Sequence, residues 1–407
     1  MSLYEYSFRE YIISMADSLS LQQARKLVLL SQKLPARQQK GTALEATLSA
    51  IEHLGYVQMD TISVVQRAHH HTLWNRNPRY QPSHLDTLVN DKQVFEYWSH
   101  AAAYLPMRDF RYSLYRKHAI LDGHQSHWYK RNHDVMDNVL LRIEKEGPLM
   151  ARDFDGDGNK LGAWQHKSAK MALENLYMQG DLMISSRVKF QKSYDLTERV
   201  LPQDIDRSIP SAQEYARHLI FRYLKANGIG QLAEMNYLLQ GIKPHIAAML
   251  AELVENGDVM TIKVAAIEYY TLPETLSLLG RRYQINKLHI LSPFDNLLIQ
   301  RKRMQTLFNY DYLIECYTPE AKRKFGYFSL PILWNGQLVA RMDCKAVRSE
   351  SRLDIHHLAL EPRLKKLDDF MSSLKQALPE FMVFNGCERL LLHKVTVGNK
   401  VISADLT

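Results

Sequence analysis

The chain has 407 residues, of which 46% are hydrophobic and 24% charged, and its 52 Lys and Arg against 44 Asp and Glu give a net charge of +8. This length allows two to four domains with cores of their own, and the basic balance favours a polyanionic partner such as nucleic acid. No apolar run reaches membrane-spanning length, and the three cysteines, Cys316, Cys344 and Cys387, are too scattered for a disulfide framework or a zinc ribbon, so we expect a cytoplasmic protein with no membrane partner.

The first part of the chain predicts three helices followed by a hairpin. Apolar residues recur with helical spacing in three segments, QQARKLVLLSQKL, TALEATLSAIEHLG and SHLDTLVNDKQ. The next segment, VFEYWSHAAAYLP, has the composition of two short strands. An additional strand is predicted between the second and third helices. Helices followed by a two-stranded hairpin are the layout of a winged helix, whose recognition-type helix would be residues 83–92.

The predicted additional strand carries the triplet Gln58-Met59-Asp60. Alternate side chains of a strand share a face, so Gln58 and Asp60 should point one way and Met59 toward the core. An amide and a carboxylate side by side can hold one water, which the amide orients and the carboxylate deprotonates. The alternative, a polar strand edge without chemistry, stays open on these residues alone.

Histidines near this triplet raise two questions. His69, His70 and His71 follow one another, and adjacent side chains of a strand point to opposite faces, so three in a row do not all ligate one metal ion. We therefore predict no metal site, and a polar, partly basic strand or loop near the DNA face instead. His100 lies in the predicted hairpin, where it is either a DNA contact or a hydrogen-bonded interior histidine.

An internal repeat organises the chain up to about residue 286. Residues 176–183 (LYMQGDLM) match residues 253–260 (LVENGDVM), and each stretch ends a helical pattern at a glycine and leads into a hairpin with a Tyr-x-Leu. A weaker copy precedes them in the first part of the chain. The repeat predicts three tandem winged-helix units, which we assign to residues 18–120, 121–208 and 209–286.

The middle unit carries basic residues on the two elements that a winged helix presents to DNA. Lys167 and Lys170 lie on its recognition helix, and Arg187, Lys189 and Lys192 on its hairpin. Cationic side chains on these elements neutralise phosphates, so we predict that they contact DNA. A solvated surface is the alternative for each of them.

The segment DFDGDG at residues 153–158 resembles the start of an EF-hand loop. The pattern requires Glu at the twelfth position, where this chain has Trp164. We therefore predict no calcium site there.

The C-terminal part, residues 287–407, has a different pattern. FGYFSLPILWNGQLVARMDCKA predicts a hairpin that turns at Asn335-Gly336, LDIHHLAL and RLLLHKV predict further strands, and PRLKKLDDFMSSLKQALPEF predicts one helix. We expect an antiparallel, barrel-like domain with this helix packed against it. Four basic residues of this domain could line a DNA path: Arg301, Arg303, Lys322 and Arg323.

Taken together, these segments resemble a known family. The repeated winged helices, the Gln58-Met59-Asp60 triplet, FEYWSH, SPFDNLLIQRKR and YTPEAKRKFGYFSLPILWNGQLVARMD are similar to the AlkZ/YcaQ-like winged-helix DNA glycosylases of bacteria. The similarity runs from about residue 18 to near residue 395. It implies an α+β protein in which three winged helices and a C-terminal β-barrel form a C-shaped assembly around duplex DNA.

The resemblance also implies a reaction. The family excises N7-alkylated guanines and unhooks nitrogen-mustard-type interstrand crosslinks, and its motif of Gln, an apolar residue and Gln or Asp maps onto Gln58, Met59 and Asp60. Asp60 would then stabilise an oxocarbenium ion and activate a water held by Gln58. We expect a monomeric, monofunctional enzyme of the nucleoid that acts on double-stranded DNA without a cofactor. The alternative is a winged-helix transcription regulator that binds DNA without chemistry.

Overall fold

The computed structural model describes residues 18–35, 41–126, 129–154, 160–282, 284–398 and 400–403. Within these residues the protein is a mixed α+β structure with four sheets, three of them small and one with seven strands. No helix in the described residues is long and apolar enough to cross a membrane.

The first part of the chain forms a helical unit around a three-stranded sheet. Its elements are β1 (Ser18–Leu19), α1 (Leu21–Ser31), α2 (Ala43–Leu54), β2 (Val57–Gln58), α3 (Ala68–Arg76), α4 (Pro82–Asn90), β3 (Val94–Trp98), β4 (Ala102–Pro106) and α5 (Phe110–Leu121). The Thr42 hydroxyl and the Glu45 carboxylate form a capping box that starts α2. Gly55, with φ of 76°, ends this helix in the left-handed conformation that glycine adopts without strain. The turn at Gly55 is what directs the chain into β2.

The three consecutive histidines lie in helix α3, so the expectation of a strand or loop was wrong. Each histidine meets different partners. His69 stacks on Phe190, His70 Nδ1 shares a 2.7 Å hydrogen bond with the Tyr80 hydroxyl, and His71 Nε2 donates to the Ile290 carbonyl over 2.9 Å. The His69 and His70 rings also contact each other, with their centroids 4.3 Å apart, and all three histidines serve packing between parts of the chain.

The second and third units repeat a similar order of elements. The second contains α6 (His133–Glu146), β5 (Leu149–Met150), α7 (Lys160–Gln179), β6 (Leu182–Val188), β7 (Gln191–Leu196) and α8 (Thr197–Val200). The third contains α9 (Ala212–Asn227), β8 (Ile229–Gly230), α10 (Leu232–Met235), α11 (Lys243–Glu255), β9 (Met260–Val264), β10 (Ile267–Thr271) and α12 (Pro273–Leu276). In both units a two-residue strand, β5 or β8, follows the first helix.

These short strands correct the view that β2 is an additional strand. In each of the three small sheets the short strand, β2, β5 or β8, pairs antiparallel with the second strand of the hairpin. Val57 lies opposite Tyr104 just as Leu149 lies opposite Tyr194. Gln58 and Asp60 of the first sheet therefore correspond to Met150 and Arg152 of the second. The strand is a shared feature, and the second unit has neither an amide nor a carboxylate at these two positions.

The C-terminal part forms an open seven-stranded sheet covered by one long helix. Its elements are β11 (His289–Ile290), α13 (Arg301–Phe308), β12 (Ser329–Trp334), β13 (Gln337–Val347), β14 (Arg352–Leu360), α14 (Leu367–Phe384), β15 (Arg389–Leu392), β16 (Val395–Val397) and β17 (Lys400–Ile402). The predicted hairpin turn is confirmed, since Asn335 and Gly336 both have positive φ between β12 and β13.

The barrel expectation was wrong for the described residues. The strands follow the order β11-β12-β13-β14-β16-β17, and the outer strands β11 and β17 do not pair to close a ring. Nor is the sheet purely antiparallel, because β15 and β16 both pair parallel with β14. The hydrophobic side chains of α14 cover the sheet and so remove the need for closure.

The separate parts are joined by buried contacts. The Arg76 guanidinium of α3 is fully buried and forms a two-pronged ion pair with Asp295, which precedes α13. Helix α1 packs with the third sheet, including Ile262 and Tyr269, in one hydrophobic cluster. The division at residues 120, 208 and 286 stays a prediction, and α1 contributes to a core well beyond the first boundary.

Candidate active site

The Gln58-Met59-Asp60 segment alternates between buried and half-buried side chains. Val57 and Met59 are buried in the core of the first unit, whereas Gln58 and Asp60 are half-buried on the other face. The strand is short, but the Met59 N–H donates to the Ala102 carbonyl over 2.9 Å and extends the pairing by one residue. The predicted alternation, with Met59 packed in the core at 7% exposure, is confirmed.

The Gln58 side chain is held by a histidine from the hairpin. His100 Nε2 lies 2.9 Å from Gln58 Oε1, and because an amide oxygen only accepts, the imidazole N–H is the donor. This contact fixes which end of the Gln58 amide faces His100. The Gln58 NH2 group is thereby directed away from the imidazole.

His100 itself is set in an aromatic environment. Its ring meets the Tyr56 ring edge-on at 5.3 Å between centroids and lies 5.8 Å from the Tyr237 ring. Burial, with a smaller contribution from the nearby Arg222 guanidinium, lowers the pKa of His100 to about 4. The imidazole is therefore neutral at neutral pH, with its single proton on Nε2, where it donates to Gln58.

Asp60 is a half-buried carboxylate with one backbone contact. Its Oδ1 accepts the Ile62 N–H over 2.7 Å. Burial raises the pKa of Asp60 above its ordinary value, although the hydrogen bond from Ile62 opposes the shift. A carboxylate that is partly removed from water is a stronger base and interacts more strongly with a nearby positive charge.

The C-terminal sheet forms the other wall of this site. Ile62 and Ile314 pack against the same hydrophobic cluster under the sheet. The Ala346 N–H donates to the Val64 carbonyl over 2.8 Å, and Arg348 donates to the Ser63 carbonyl over 3.1 Å. The chain after Asp60 is thus attached to strand β13 and the turn that follows it. The candidate site lies where the first unit meets the C-terminal part.

Residues of the loop after helix α13 lie close enough to Asp60 to respond to its charge. The pKa of Cys316 is raised by burial and, next, by Asp60. The pKa of Tyr317 is raised by Cys316, by burial and by Asp60. Neither Cys316 nor Tyr317 was predicted as a site residue, because 256 positions and more separate them from Asp60 in the sequence and only the folded chain brings them near.

Five of the basic residues predicted to contact DNA are exposed. They are Lys167, Lys170, Lys189, Arg301 and Lys322. Lys189 lies in the turn between β6 and β7 with φ of 48°, at the tip of the hairpin. These five remain available for phosphates.

Two others already have protein partners, and their assignment as DNA contacts stays a prediction. Arg303 is 3% exposed and pairs with Glu234 over 2.8 Å. Arg187 forms a two-pronged pair with Glu96 and lies 4.4 Å from the centre of the Phe190 ring. Moving either guanidinium away from its carboxylate would leave a buried charge unpaired, so a structural role explains Arg303 and Arg187 better than a DNA contact does.

The last three residues predicted to contact DNA, Lys192, Arg323 and His100, are half-buried and have partners within the protein. Lys192 is partly buried and pairs with Glu174 over 2.8 Å. Arg323 donates from Nε to the Thr318 carbonyl over 2.8 Å and lies over the Tyr327 ring. His100, as described above, faces Gln58.

No group of three or more His, Cys, Asp and Glu side chains in the described residues is arranged to hold a metal ion. The EF-hand-like segment lies largely outside the described residues, as does the Trp164 side chain. Asp153, which is described, accepts the Met150 N–H over 2.7 Å.

Two comparisons with known proteins bear on this geometry. A family model described as DNA glycosylase AlkZ-like matches residues 51–381, a span that includes Gln58, Asp60, His100 and Tyr317. Among solved structures, the Streptomyces sahachiroi DNA glycosylase AlkZ is similar over 93% of this chain and 100% of its own, with a TM-score of 0.65 and 15% sequence identity. The structural likeness at that identity concerns the fold.

Proposed function

The chain belongs to the AlkZ-like DNA glycosylase family, and from this premise we propose that it hydrolyses the N-glycosidic bond of N7-alkylated guanine in double-stranded DNA. Family membership makes it an enzyme of DNA repair, so the alternative of a regulator without chemistry loses its basis. The proposed substrates include nitrogen-mustard-type interstrand crosslinks, which the enzyme would unhook.

The observation that carries this proposal is the shared face of Gln58 and Asp60, both half-buried, with Asp60 raised in pKa by burial. Alkylation at N7 gives guanine a positive charge, so the base departs as a neutral molecule and leaves oxocarbenium character on the sugar. The Asp60 carboxylate is suited to stabilise this positive charge. It is also suited to take a proton from the attacking water.

Gln58 is proposed to position that water. Its amide oxygen already accepts from His100, and its second lone pair and the NH2 group can bind water beside Asp60. The corresponding positions of the second unit, Met150 and Arg152, offer neither the amide nor the carboxylate. We propose that the first unit alone carries the chemistry, while the others bind DNA.

The enzyme is proposed to be monofunctional. A glycosylase with lyase activity attacks the sugar with an amine and forms a Schiff base. The described polar partners of Gln58 and Asp60 are the His100 imidazole and the Ile62 N–H, and neither supplies an amine. Hydrolysis should therefore leave an intact abasic site.

For the complex with DNA we propose a monomer in which three winged-helix units and the C-terminal sheet form a C-shaped surface around the duplex. The pairing of a short strand with a hairpin in three small sheets supports the three related units of this proposal. A crosslinked base is tied to the opposite strand and does not swing fully into a closed pocket. A site at the junction of two parts, approached from a groove, suits such a lesion.

The experiment uses the purified full chain with two duplexes, one containing 7-methylguanine and one containing a nitrogen-mustard crosslink. Wild type should release the methylated base and unhook the crosslink. Asp60→Asn and Gln58→Ala should each lower single-turnover rates by about 10²–10⁴-fold on both duplexes.

Asp109→Asn is the matched control. Asp109 is another partly buried aspartate whose pKa is raised chiefly by burial, and it lies at the start of α5, outside the candidate site. This variant should keep the wild-type rates. Full activity of both Asp60→Asn and Gln58→Ala would refute the proposed pair.

A further inference from the structure

Tyr317 exposes its aromatic ring beside the candidate site. It is 83% exposed, more than any other large hydrophobic side chain in the described part of the chain. A phenol ring open to solvent is available to stack on a flat ligand without first being released from the protein core.

The loop that carries Tyr317 is firmly held. The buried Glu315 carboxylate accepts backbone N–H groups from Lys324, Phe325 and Gly326 at 2.7–3.2 Å. The Arg323 guanidinium donates to the Thr318 carbonyl on the other side of Tyr317. A loop fixed on both sides presents the ring without having to order itself on binding.

The position of the loop relative to Asp60 follows from shared packing. Ile62, whose N–H binds the Asp60 carboxylate, and Ile314, three residues before Tyr317, lie against one hydrophobic cluster. The influence of Asp60 on the pKa of Tyr317, after those of Cys316 and burial, agrees with this proximity. The exposed ring and the half-buried carboxylate thus lie on two segments that pack against the same cluster, with Asp60 near enough to influence Tyr317.

The proposed substrate has chemical properties that suit both the Tyr317 ring and the Asp60 carboxylate. N7-alkylated guanine is flat, cationic and apolar on both faces, and a phenol ring binds such a group by stacking and by cation–π attraction. We propose that Tyr317 stacks on the alkylated guanine and determines the preference for cationic purines, with Asp60 acting on the sugar of the same nucleotide. This inference rests on the proposed glycosylase function and names a contact to its substrate.

The test compares Tyr317→Ala, Tyr317→Phe and wild type in single-turnover excision of 7-methylguanine from a duplex. Loss of one base-stacking contact should lower the rate by about 5–150-fold for alanine, whereas phenylalanine should stay within about threefold of wild type. A duplex with 2-aminopurine next to the lesion reports stacking directly. Its fluorescence change on binding should shrink with alanine and persist with phenylalanine.

Leu313→Ala is the matched control, because Leu313 is 47% exposed on the same segment and is not aromatic. It should excise at the wild-type rate. An equal loss in Leu313→Ala, a wild-type rate in Tyr317→Ala or a failure of phenylalanine to restore activity would each overturn the inference. If Asp60→Asn is inactive while Tyr317→Ala is not, this inference fails and the proposed function stands. If both variants excise at the wild-type rate, the stacking inference and the assignment of Asp60 both fail, whereas the proposed function itself fails only if wild type releases no 7-methylguanine.

Discussion

His100 donates a hydrogen bond from Nε2 to the Gln58 amide oxygen over 2.9 Å, and so joins the turn of the first hairpin to the strand beside it. The contact is possible because β2 pairs with β4, which follows the turn. Gln58 is therefore held by the fold before any substrate arrives. A water-binding amide with a fixed orientation loses less conformational freedom when the substrate binds.

His100→Phe should lower the single-turnover rate by about tenfold, the effect of removing one hydrogen bond that positions a reacting group. Phenylalanine keeps the ring contacts with Tyr56 and Tyr237 and removes only the donor. Binding of an undamaged duplex should not change. A variant that binds undamaged DNA poorly, or that excises at the wild-type rate, would argue against positioning by His100.

The rate of excision should rise with pH through the pKa of Asp60. Because burial raises this pKa above the ordinary 3.8, the acid limb should lie above that value, and the rate should fall about tenfold per pH unit below it as the base is protonated. His100, with a pKa of about 4, is a second group that titrates in acid.

The His100→Phe variant separates the two groups, since it should keep the acid limb of wild type if Asp60 is responsible. Rates measured from pH 4.5 upward under single-turnover conditions provide the profile. Disappearance of the limb in His100→Phe would assign it to the histidine instead.

Asp60→Asn should not destabilise the protein even though it removes the proposed base. The folded-state pKa of Asp60 is raised, so its protonated form favours folding and this contribution is lost as the pH rises through that pKa. At neutral pH the ionised Asp60 carboxylate lowers folding stability, and asparagine removes this penalty. The asparagine amide oxygen can still accept the Ile62 N–H. Thermal unfolding at several pH values should show no loss for the variant, and any gain should shrink in acid. A clear loss at neutral pH would contradict the direction of the shift.

Local patterns in the sequence predicted the parts of the site that lie on one strand. The alternation of Gln58, Met59 and Asp60 follows from the two-residue period of extended chain, and burial of Met59 confirms it. The turn at Asn335-Gly336 could likewise be predicted from the two residues themselves, and both have positive φ. By contrast, the histidines at 69–71 have no strong preference of their own, and packing against Phe190 and Tyr80 in the folded chain favours the helix.

Relationships between distant segments were out of reach of such patterns. Arg303 was predicted to be an exposed cation because its partner, Glu234, lies far from it in the sequence. Tyr317 was not singled out from the sequence, because its exposure depends on how the segment from Glu315 to Gly326 folds back on the Glu315 carboxylate. Charge and pattern show which residue types are present, and tertiary contacts decide which of them face solvent.

Lys117→Met should stabilise the protein at neutral pH by about 1–3 kcal/mol, the usual scale for a buried polar group without full compensation. The Lys117 ammonium lies 4.3–5.9 Å from the ring centres of Phe95, Tyr97 and Phe110, and burial lowers its pKa to about 7. Since the folded-state pKa is depressed from 10.5, the unfolded state binds a proton between about pH 7 and 10.5 that the folded state has released, so wild-type stability should rise with pH across this range. Chemical denaturation at pH 7 and pH 9 tests this, and the variant should lose the difference between the two. A pH dependence that survives in Lys117→Met would have to come from other groups.

Mutation of exposed cations should weaken DNA binding, whereas mutation of a buried cation should lower folding stability. Lys167 and Lys170 are exposed on α7, so replacing both with alanine should weaken binding to any duplex and reduce the slope of log K against log salt by about 0.9 for each lost phosphate contact, with unfolding unchanged. Arg303→Ala leaves Glu234 buried without its partner and should cost about 3–5 kcal/mol of folding stability. Fluorescence anisotropy over a salt series measures the first effect and denaturant unfolding the second. A double lysine variant with an unchanged salt slope would place the DNA path elsewhere, because a phosphate contact that contributes to binding must release counterions.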